Sequence, residues 1–313
     1  MNYVSLNEAS RAFSRDYTRT QTIKPEDYQS MFLSRGAWHW DIDGTCVENE
    51  AVHVAAWSDI AREHGVTLTD AMFDDTHEIY LPDNSERGAR KSVQPLRGAS
   101  PQAIACWILG KADADIGAGH VDMRTKERAI QEISGRHLGF FLKNTDLLKP
   151  REGIETILDY LQENNWISGA VTGSVREIFK ANMSVLGAIG RRWDYIVTAE
   201  EVDPRNKKPD PYPYELGLTR LGAIMGMESV DDSVRAALKR RSCVIEDGTS
   251  GVYSAANAEL PCIQYILPSQ KPFDAKAFGR EAGVVVVYTA DNLKEEMKRA
   301  VRSFSPRGLS LTL

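Results

Sequence analysis

The sequence has few cysteines and no cysteine pair at the short spacing that is typical of a disulfide framework or a zinc site. The four that are present are Cys46, Cys106, Cys243 and Cys262. Scattered cysteines favour free thiols in a reducing compartment. No apolar run approaches the length of a membrane span, and the first residues lack the apolar centre of a signal peptide. We therefore expect a cytoplasmic protein with no membrane association.

An excess of basic residues is also absent. The chain carries 38 Lys and Arg against 44 Asp and Glu, a formal net charge of -6. Because proteins that bind nucleic-acid backbones usually present a basic face, this balance argues against nucleic acid as a partner. Hydrophobic residues make up 42% of the 313 residues, which is enough for a core plus an insertion, or for two domains. The oligomeric state cannot be read from the composition.

Strand and helix patterns alternate over most of the chain. Short apolar runs predict six strands, at 36–41, 166–171, 195–198, 242–245, 263–267 and 284–288. Amphipathic segments between the later strands predict helices. This alternation is typical of an α/β fold with a doubly wound, Rossmann-like parallel sheet, whose ligands bind at the carboxyl ends of the strands.

The segment 49–147 lies between the first two predicted strands and has a different pattern. Its periodicity predicts helices and no strand, and its polar stretch 69–95 is expected to be a long surface loop. We therefore expect a core formed by 31–48 and 148–313, with 49–147 as a helical insertion. Residues 1–30 are predicted to form an arm or short helix on the core.

Two aspartates one residue apart, Asp41 and Asp43, follow the first predicted strand, and Gly44 allows the chain to turn directly after them. Two carboxylates at a strand end suit a nucleophile beside a general acid/base, with a divalent cation that offsets their repulsion. On its own, the pattern also fits a strand that ends in two solvated acids, because short motifs match by accident.

Three later strands are also followed by polar residues. Thr172 and Gly173 follow the second predicted strand, Lys208 lies in the loop after the third, and Glu246 and Asp247 follow the fourth. Taken singly, they could be a helix cap, a solvated lysine and an acidic turn. Their order on alternating strands favours one shared site. Carboxylates, a hydroxyl and one amine suit Mg²⁺ together with a phosphate.

This set of residues suits phosphoryl transfer. A phosphoryl group in transfer carries negative charge on its equatorial oxygens and requires a cation, a lysine and hydroxyl or amide donors. Thr172, the amides around Gly173 and Lys208 can supply the donors. Asp41 can attack phosphorus to give an aspartyl-phosphate. Asp43 can protonate the leaving oxygen and then deprotonate the water that cleaves the intermediate.

These residues resemble the four motifs of the haloacid dehalogenase superfamily, in particular its phosphatases and phosphomutases with a helical cap inserted after the first motif. The motifs stand at Asp41-Ile42-Asp43-Gly44-Thr45, Thr172, Lys208-Pro209-Asp210-Pro211 and Glu246-Asp247. The resemblance covers about residues 36–290, with 49–147 as the cap. Four motifs in this order are far more specific than any one of them.

The resemblance implies a Rossmann-like core with an α-helical cap and a phosphatase that acts through an aspartyl-phosphate. It implies Mg²⁺ as cofactor, held by the carboxylate of Asp41, the backbone carbonyl of Asp43, Glu246 and Asp247. The implied substrate is a small phosphorylated metabolite, such as a sugar phosphate. The presence of Asp43 argues against the dehalogenases of the superfamily, which lack this acid.

A sugar-phosphate mutase is the first alternative. His53-Val54-Ala55-Ala56-Trp57 is similar to the first cap helix of β-phosphoglucomutase, which makes His53 a candidate substrate residue; the other interpretation is a histidine that packs beside Trp57. Thr45 stands where that mutase usually has valine, and Pro101 falls about where its cap presents an arginine. These two departures favour a phosphatase.

The cap is expected to recognise the part of the substrate distant from phosphorus. Arg97 and the basic residues within 124–128 are the candidates for this contact. A non-catalytic binding protein of the same fold is the remaining alternative, but the intact acid set argues against it.

Overall fold

The structure, a computed structural model, describes residues 17–18, 23–73, 75–82, 89–113, 123–187, 190, 193–270, 272–274 and 283–304. Most of the arm predicted for 1–30 therefore lies outside the described residues. Its last part belongs to the first helix, which packs Tyr28 and Phe32 onto the core. Within the described ranges, no helix is long and apolar enough to cross a membrane.

Ten strands lie in the described part of the chain. They are β1 Ala37–Trp40, β2 Val47–Glu48, β3 Thr76–Pro82, β4 Ala89–Pro95, β5 Lys149–Pro150, β6 Ile167–Val171, β7 Tyr195–Val197, β8 Ser242–Glu246, β9 Cys262–Tyr265 and β10 Val284–Val287. The α-helices of the same ranges are α1 Pro25–Arg35, α2 Glu50–Glu63, α3 Pro101–Ala112, α4 Met123–Lys143, α5 Ile154–Glu163, α6 Arg176–Val185, α7 Tyr212–Ile224, α8 Asp232–Lys239, α9 Thr249–Asn257 and α10 Ala290–Ser303.

Six parallel strands form the central sheet, in the order β10-β9-β8-β1-β6-β7. These are the six strands that the apolar runs predict. β1 lies at the centre, with Ala37 opposite Ile167 of β6 and Ser242 of β8. Every residue of β1, β6 and β8 is buried, as expected for parallel strands that are covered on both faces.

Helices cover both faces of the sheet. On one face, α5, α6 and α10 contribute apolar side chains to a cluster that includes Trp38 and Trp40. On the other face, α1, α7, α8 and α9 pack around Val171 and Val244. Successive residues of one strand belong to opposite clusters because strand side chains alternate between faces. The predicted doubly wound α/β fold is confirmed.

The segment between β2 and β5 has a hydrophobic core of its own, formed by α2, α3, α4 and the hairpin β3–β4. Its buried residues include Trp57, Phe73, Ile104 and Ile133. The short strands β2 and β5 pair in antiparallel fashion, so the two connections between this segment and the sheet run side by side. This pairing supports the predicted division of the chain at 48/49 and 147/148, which stays a prediction.

The prediction that 49–147 contains no strand is wrong. Residues of β3 and β4 pair from Thr76 with Pro95 to Pro82 with Ala89, within the stretch expected to be a surface loop. From Thr76 to Ile79, exposed residues alternate with the half-buried His77 and the buried Ile79, as in a strand with one covered face. The sequence does not predict this hairpin because His77 occupies one of the inward positions and β4 is mostly polar.

Candidate active site

The polar residues predicted from the strand ends meet at the carboxyl edge of the central sheet. Asp41 directly follows β1, Thr172 follows β6, and Glu246 is the last residue of β8. Lys208 Nζ lies 2.6 Å from Asp41 Oδ1 and 2.6 Å from Glu246 Oε1, and it also donates to the Val171 carbonyl at 3.1 Å. The ammonium of Lys208, in the third predicted motif, thus contacts carboxylates of the first and fourth motifs.

Two glycines allow this close approach. Gly44 has a φ of 76°, which favours glycine, and a Cβ at this position would lie 2.2 Å from Asp247 Oδ2. A Cβ at Gly251 would lie 1.7 Å from Glu246 Oε1. The turn after β1 and the start of α9 can therefore pack directly against the carboxylates only if both residues lack side chains.

Three carboxylates form an acidic cluster at this edge. Asp41, Glu246 and Asp247 each offer an oxygen, and these oxygens lie within 4.8 Å of one another. Burial and the charge of Glu246 raise the pKa of Asp41 well above its usual value and that of Asp247 to about 7. Burial opposes the charged form of Lys208, but the charges of Asp41 and Glu246 raise its pKa.

The acidic cluster fits a hard divalent cation. A single lysine faces three carboxylates, so a divalent cation would offset the remaining negative charge. Carboxylate oxygens are the ligands that Mg²⁺ prefers. Thr45 Oγ1 donates a hydrogen bond of 2.9 Å to Asp247 Oδ1 and so orients this carboxylate. The chemistry of these carboxylate ligands therefore supports the predicted magnesium site.

The side chain of Asp43 lies outside the acidic cluster and is held by its own donors. Asn49 and Asn182 donate to Oδ1 at 2.6 and 3.0 Å, and Thr172 donates to Oδ2 at 2.8 Å. His53 Nε2 lies 3.5 Å from Oδ1. Burial opposes ionisation, but the hydrogen bonds from His53 and Thr172 hold the pKa of Asp43 below its usual range.

Thr172 and Gly173 lie where the chain passes from β6 towards α6. Thr172 Oγ1 accepts a hydrogen bond of 3.0 Å from the Ser174 amide while it donates to Asp43. Gly173 lines the cavity above the acidic cluster. The Thr172 hydroxyl thus lies beside Asp43, and phosphate binding by Thr172 and the amides around Gly173 stays a prediction.

His53 lies in an aromatic stack beside Asp43. Its Nδ1 lies 3.0 Å from His137 Nε2, and Trp57 stacks on the His137 ring with a centroid distance of 4.2 Å. Burial lowers the pKa of His137 well below its usual value, so this ring is neutral. His53 therefore approaches the site, and its ring packs on His137 and Phe141. Its predicted contact with substrate stays a prediction.

Arg97 reaches the cavity but is paired with acids. Its guanidinium contacts Glu50 Oε1 at 2.6 Å and Asp70 Oδ1 at 3.2 Å. The described basic residues of 124–128 do not line the cavity, and one of them, Lys126, instead donates to the Tyr80 carbonyl at 2.7 Å. Of the two predicted contact candidates, only Arg97 is in a position to meet a substrate.

Sequence reasoning missed several residues that hold the site in place. Asn182 lies on the buried face of α6 with Ile178, Phe179 and Met183, and an asparagine at an apolar position of a helix is a signal that could have revealed it. Asn49 precedes α2, where a polar residue is common and carries no signal for a role in the site. Tyr214 donates to Glu246 Oε1 at 2.8 Å, but nothing in its sequence context distinguishes it from a core aromatic.

Arg151 was missed for a different reason. It follows β5 and donates from Nη1 to the carbonyls of Gly44 at 2.7 Å and Tyr265 at 2.8 Å. It is buried and supports the turn after β1 from behind. A single arginine in a polar loop carries no sequence signal for such a role.

The fold and the site together define a class: an α/β protein whose ligand site lies at the carboxyl edge of a doubly wound sheet. A family model described as haloacid dehalogenase-like hydrolase matches residues 39–259. Because this match covers well over half of the chain, the protein belongs to that family. The resemblance predicted from the four motifs is confirmed, and the matched range contains all four.

Phosphatases are among the similar sequences. The chain is 23% identical to validoxylamine A 7'-phosphate phosphatase of Streptomyces hygroscopicus subsp. limoneus over 225 residues, which are 72% of this chain and 82% of that protein. It is 34% identical to pyrophosphatase PpaX of Bacillus velezensis over 80 residues, which are 26% of this chain and 36% of that protein.

Solved structures of the same fold include a hydrolase and a phosphomutase. A hydrolase from Pseudomonas syringae superposes with a TM-score of 0.59 at 15% identity, over 84% of this chain and 98% of that chain. β-Phosphoglucomutase from Clostridium difficile superposes with a TM-score of 0.58 at 16% identity, over 86% of this chain and 97% of that chain. At these identities, the likeness concerns the fold alone.

Proposed function

We propose that the protein is a Mg²⁺-dependent phosphatase that hydrolyses a small phosphorylated metabolite through an aspartyl-phosphate on Asp41. The observation that carries this proposal is the contact of Lys208 with both Asp41 and Glu246 inside the acidic cluster. It brings a nucleophile, a cation for the phosphoryl oxygens and metal ligands to one point. The similarity to a phosphatase acting on a phosphorylated small molecule supports the same reaction.

The residues that would hold Mg²⁺ are Asp41, Glu246 and Asp247, with the backbone carbonyl of Asp43. When bound, the cation would offset the charge of the carboxylates and of the phosphoryl oxygens. Lys208 would neutralise part of the charge that develops on the phosphoryl group during transfer.

Asp41 is assigned as the nucleophile because it lies at the edge of the cavity with one oxygen held by Lys208. Its carboxylate would attack phosphorus and expel the alcohol, and water would then attack phosphorus and release the aspartate.

Asp43 is assigned as the general acid/base. It would protonate the leaving oxygen and later deprotonate the water. The hydrogen bonds that Asp43 accepts favour its carboxylate form, which suits the second of these steps. To carry a proton in the first step, the side chain has to exchange some of these donors for the substrate. Asn49, Asn182 and Thr172 position Asp43 and are not assigned a chemical step.

A sugar-phosphate mutase is the second candidate. The observation that favours it is the position of His53 beside Asp43, in the segment that is similar to the first cap helix of β-phosphoglucomutase. The pairing of Arg97 with Glu50 and Asp70 counts against it. A mutase must also bind the phosphate of a bisphosphate that is not being transferred, and in this structure acids already compensate the charge of Arg97.

The test is phosphate release from a panel of phosphorylated metabolites, with and without Mg²⁺. We expect release only with Mg²⁺, and loss of release in Asp41→Asn. Asp146→Asn, a change of the same kind at an exposed aspartate, is the matched control and should behave as wild type.

Two other results would contradict the phosphatase. Turnover of a sugar 1-phosphate without phosphate loss, dependent on a bisphosphate primer, would establish the mutase instead. No turnover of any ester or sugar phosphate would leave a non-catalytic binding role.

A further inference from the structure

The cavity above the acidic cluster has a volume of about 330 Å³. Small-molecule sites usually measure roughly 300–1,000 Å³, so this cavity suits a compact substrate. Its floor is formed by the core, where the carboxylates and Lys208 lie, and its roof is formed by residues of the segment between β2 and β5. If phosphorus lies at Asp41, the leaving alcohol must occupy the space beneath this roof.

The wall around that space is mainly apolar. The apolar lining residues contributed by the inserted segment include Trp57, Phe73, Leu96, Ile104 and Leu138. Val175 and Ile178, at the start of α6, continue this surface on the core side. Such a surface gains free energy from contact with hydrocarbon, because apolar area is removed from water on binding.

The polar side chains of the inserted segment that line the cavity are those of Glu50, His53, Arg97, Ser100, Ser134 and His137. Most of them already bind one another, because Glu50 pairs with Arg97 and His53 contacts His137. Ser100 already accepts a hydrogen bond from the Ala103 amide as the cap of α3. A sugar carries several hydroxyls, and each one that loses water without gaining a partner weakens binding. The wall therefore disfavours a polyhydroxylated leaving group.

The wall also offers no uncompensated cation for a second anionic group, within the described lining. Arg97 is paired with Glu50 and Asp70, and Lys208 with Asp41 and Glu246. The remaining lysine, Lys207, interacts with Glu200 and belongs to the same core loop as Lys208. A second phosphate or carboxylate placed under the roof would be desolvated without a free partner.

We propose that the substrate is a phosphomonoester whose leaving alcohol carries a hydrocarbon face, such as an aryl or cycloalkyl group, and no second anionic group. This inference rests on the proposed phosphatase function and specifies its substrate class. Catalysis remains with the core carboxylates, and selectivity resides in the apolar wall.

The experiment compares esters of primary alcohols, so that the basicity of the leaving oxygen stays similar. Cyclohexylmethyl phosphate and benzyl phosphate carry a hydrocarbon ring, glucose 6-phosphate carries a hydroxylated ring, and fructose 1,6-bisphosphate carries a second phosphate. With Mg²⁺, we expect kcat/KM for the two hydrocarbon esters to exceed that for glucose 6-phosphate by about tenfold or more, the scale on which pocket contacts discriminate. Equal or higher kcat/KM for the sugar phosphate or the bisphosphate would overturn the proposal.

Variants then connect this preference to the wall. Leu138→Gln and Val175→Thr make half-buried lining positions polar with little change in volume. Both should lower the ratio of kcat/KM for cyclohexylmethyl phosphate over glucose 6-phosphate by about threefold or more. Leu216→Gln and Val234→Thr make the same changes at half-buried positions outside the cavity and should leave the ratio unchanged. A ratio that is unaffected by Leu138→Gln and Val175→Thr would contradict the assignment of the wall.

A binding measurement separates this inference from the proposed function. Cyclohexylmethylphosphonate and the phosphonate analogue of glucose 6-phosphate cannot be hydrolysed, and calorimetry with Mg²⁺ gives their Kd directly. We expect a Kd about tenfold lower for the cyclohexyl compound, or about 1.4 kcal/mol. If no ester is hydrolysed but this preference is found, the phosphatase proposal fails and the preference of the wall stands. Equal Kd values would overturn the inference, whatever the enzyme hydrolyses.

Discussion

Asn182, in the middle of α6, donates a hydrogen bond of 3.0 Å to Asp43, which lies 139 residues earlier in the chain. Asn49 donates to the same carboxylate oxygen at 2.6 Å and also to Asn182 Oδ1 at 3.1 Å. The orientation of the proposed acid/base is thus fixed by a helix of the opposite half of the site as well as by its own loop.

This relationship makes Asn182 a positioning residue. Asn182→Leu keeps the branching of the buried side chain at Cγ and removes the amide donor. We expect kcat to fall by about tenfold to a hundredfold, since small misplacements of a catalytic group have effects of this size, with little change in KM. Steady-state kinetics on the preferred ester measure both constants.

Asn164→Ala is the control for Asn182→Leu. Its side chain caps its own helix through the Tyr160 carbonyl, away from the cavity, and its kcat should match wild type. A rise in KM alone for Asn182→Leu would indicate a role in binding and would contradict the assignment.

Asp247 gives a test of the metal site that does not depend on activity. In wild type, Mg²⁺ at a hundred times its Kd should raise the free energy of unfolding by about 2.7 kcal/mol. Asp247→Asn removes one ligand, so the stabilisation by Mg²⁺ should shrink. It also removes a buried charge beside Glu246, so the metal-free variant should be at least as stable as wild type.

Thermal unfolding with Mg²⁺ and with a chelator measures both effects of Asp247→Asn. The exposed Asp146→Asn should respond to Mg²⁺ as wild type does. An equal response in Asp247→Asn would exclude this residue from the metal site.

His137 connects the aromatic stack to the pH dependence of stability. Its pKa is lowered by burial and by the nearby charge of His53, while the charge of Asp43 opposes this shift. The unfolded chain therefore binds a proton at this residue below about pH 6.5 that the folded chain does not bind. Its contribution is fully present above pH 6.5 and is lost as the pH falls below that value.

We expect His137→Phe, which keeps a ring in the stack, to lose less stability than wild type between pH 6.5 and 5. Urea unfolding across this range measures the difference. His64→Phe, outside the stack, should keep the wild-type slope. Parallel slopes for wild type and His137→Phe would show that His137 is not held neutral by the fold.

The sequence allowed the floor of the site to be predicted because of the geometry of parallel sheets. Asp41, Thr172 and Glu246 follow neighbouring strands, and the carboxyl ends of parallel strands share one edge, so their proximity follows from the strand pattern alone. Asn182 could not be placed in this way because it lies inside a helix, where its direction depends on how the helix packs. The same holds for the acids that pair with Arg97.

The roof was predicted less well for a physical reason. β3 and β4 pair with each other, and β3 packs on α3, so the hairpin depends on a contact with a separate element. Their sequence is polar enough to resemble a loop, with Ile79 as the one fully buried residue in the described positions of the hairpin. Tertiary packing decided the conformation where local propensity was weak.

Glu50 compensates the charge of Arg97, the arginine that lines the cavity in the described part of the chain. The two side chains lie 2.6 Å apart, and both line the cavity. Glu50→Gln removes the negative charge with little change in size and leaves Asp70, a more exposed and more distant partner at 3.2 Å. We expect kcat/KM for fructose 1,6-bisphosphate to rise relative to that for benzyl phosphate by about threefold to tenfold, because desolvating a second phosphate becomes less costly when a cation is available to it.

The ratio of kcat/KM for these two esters, measured in wild type and in Glu50→Gln, tests this expectation directly. Glu78→Gln, whose partner Lys91 lies on the hairpin outside the cavity, is the matched control and should leave the ratio unchanged. If Glu50→Gln left it unchanged as well, Arg97 would not be available to substrate even without its acidic partner. Selectivity against a second phosphate would then arise from the apolar wall alone, since no other cation of the described roof lines the cavity.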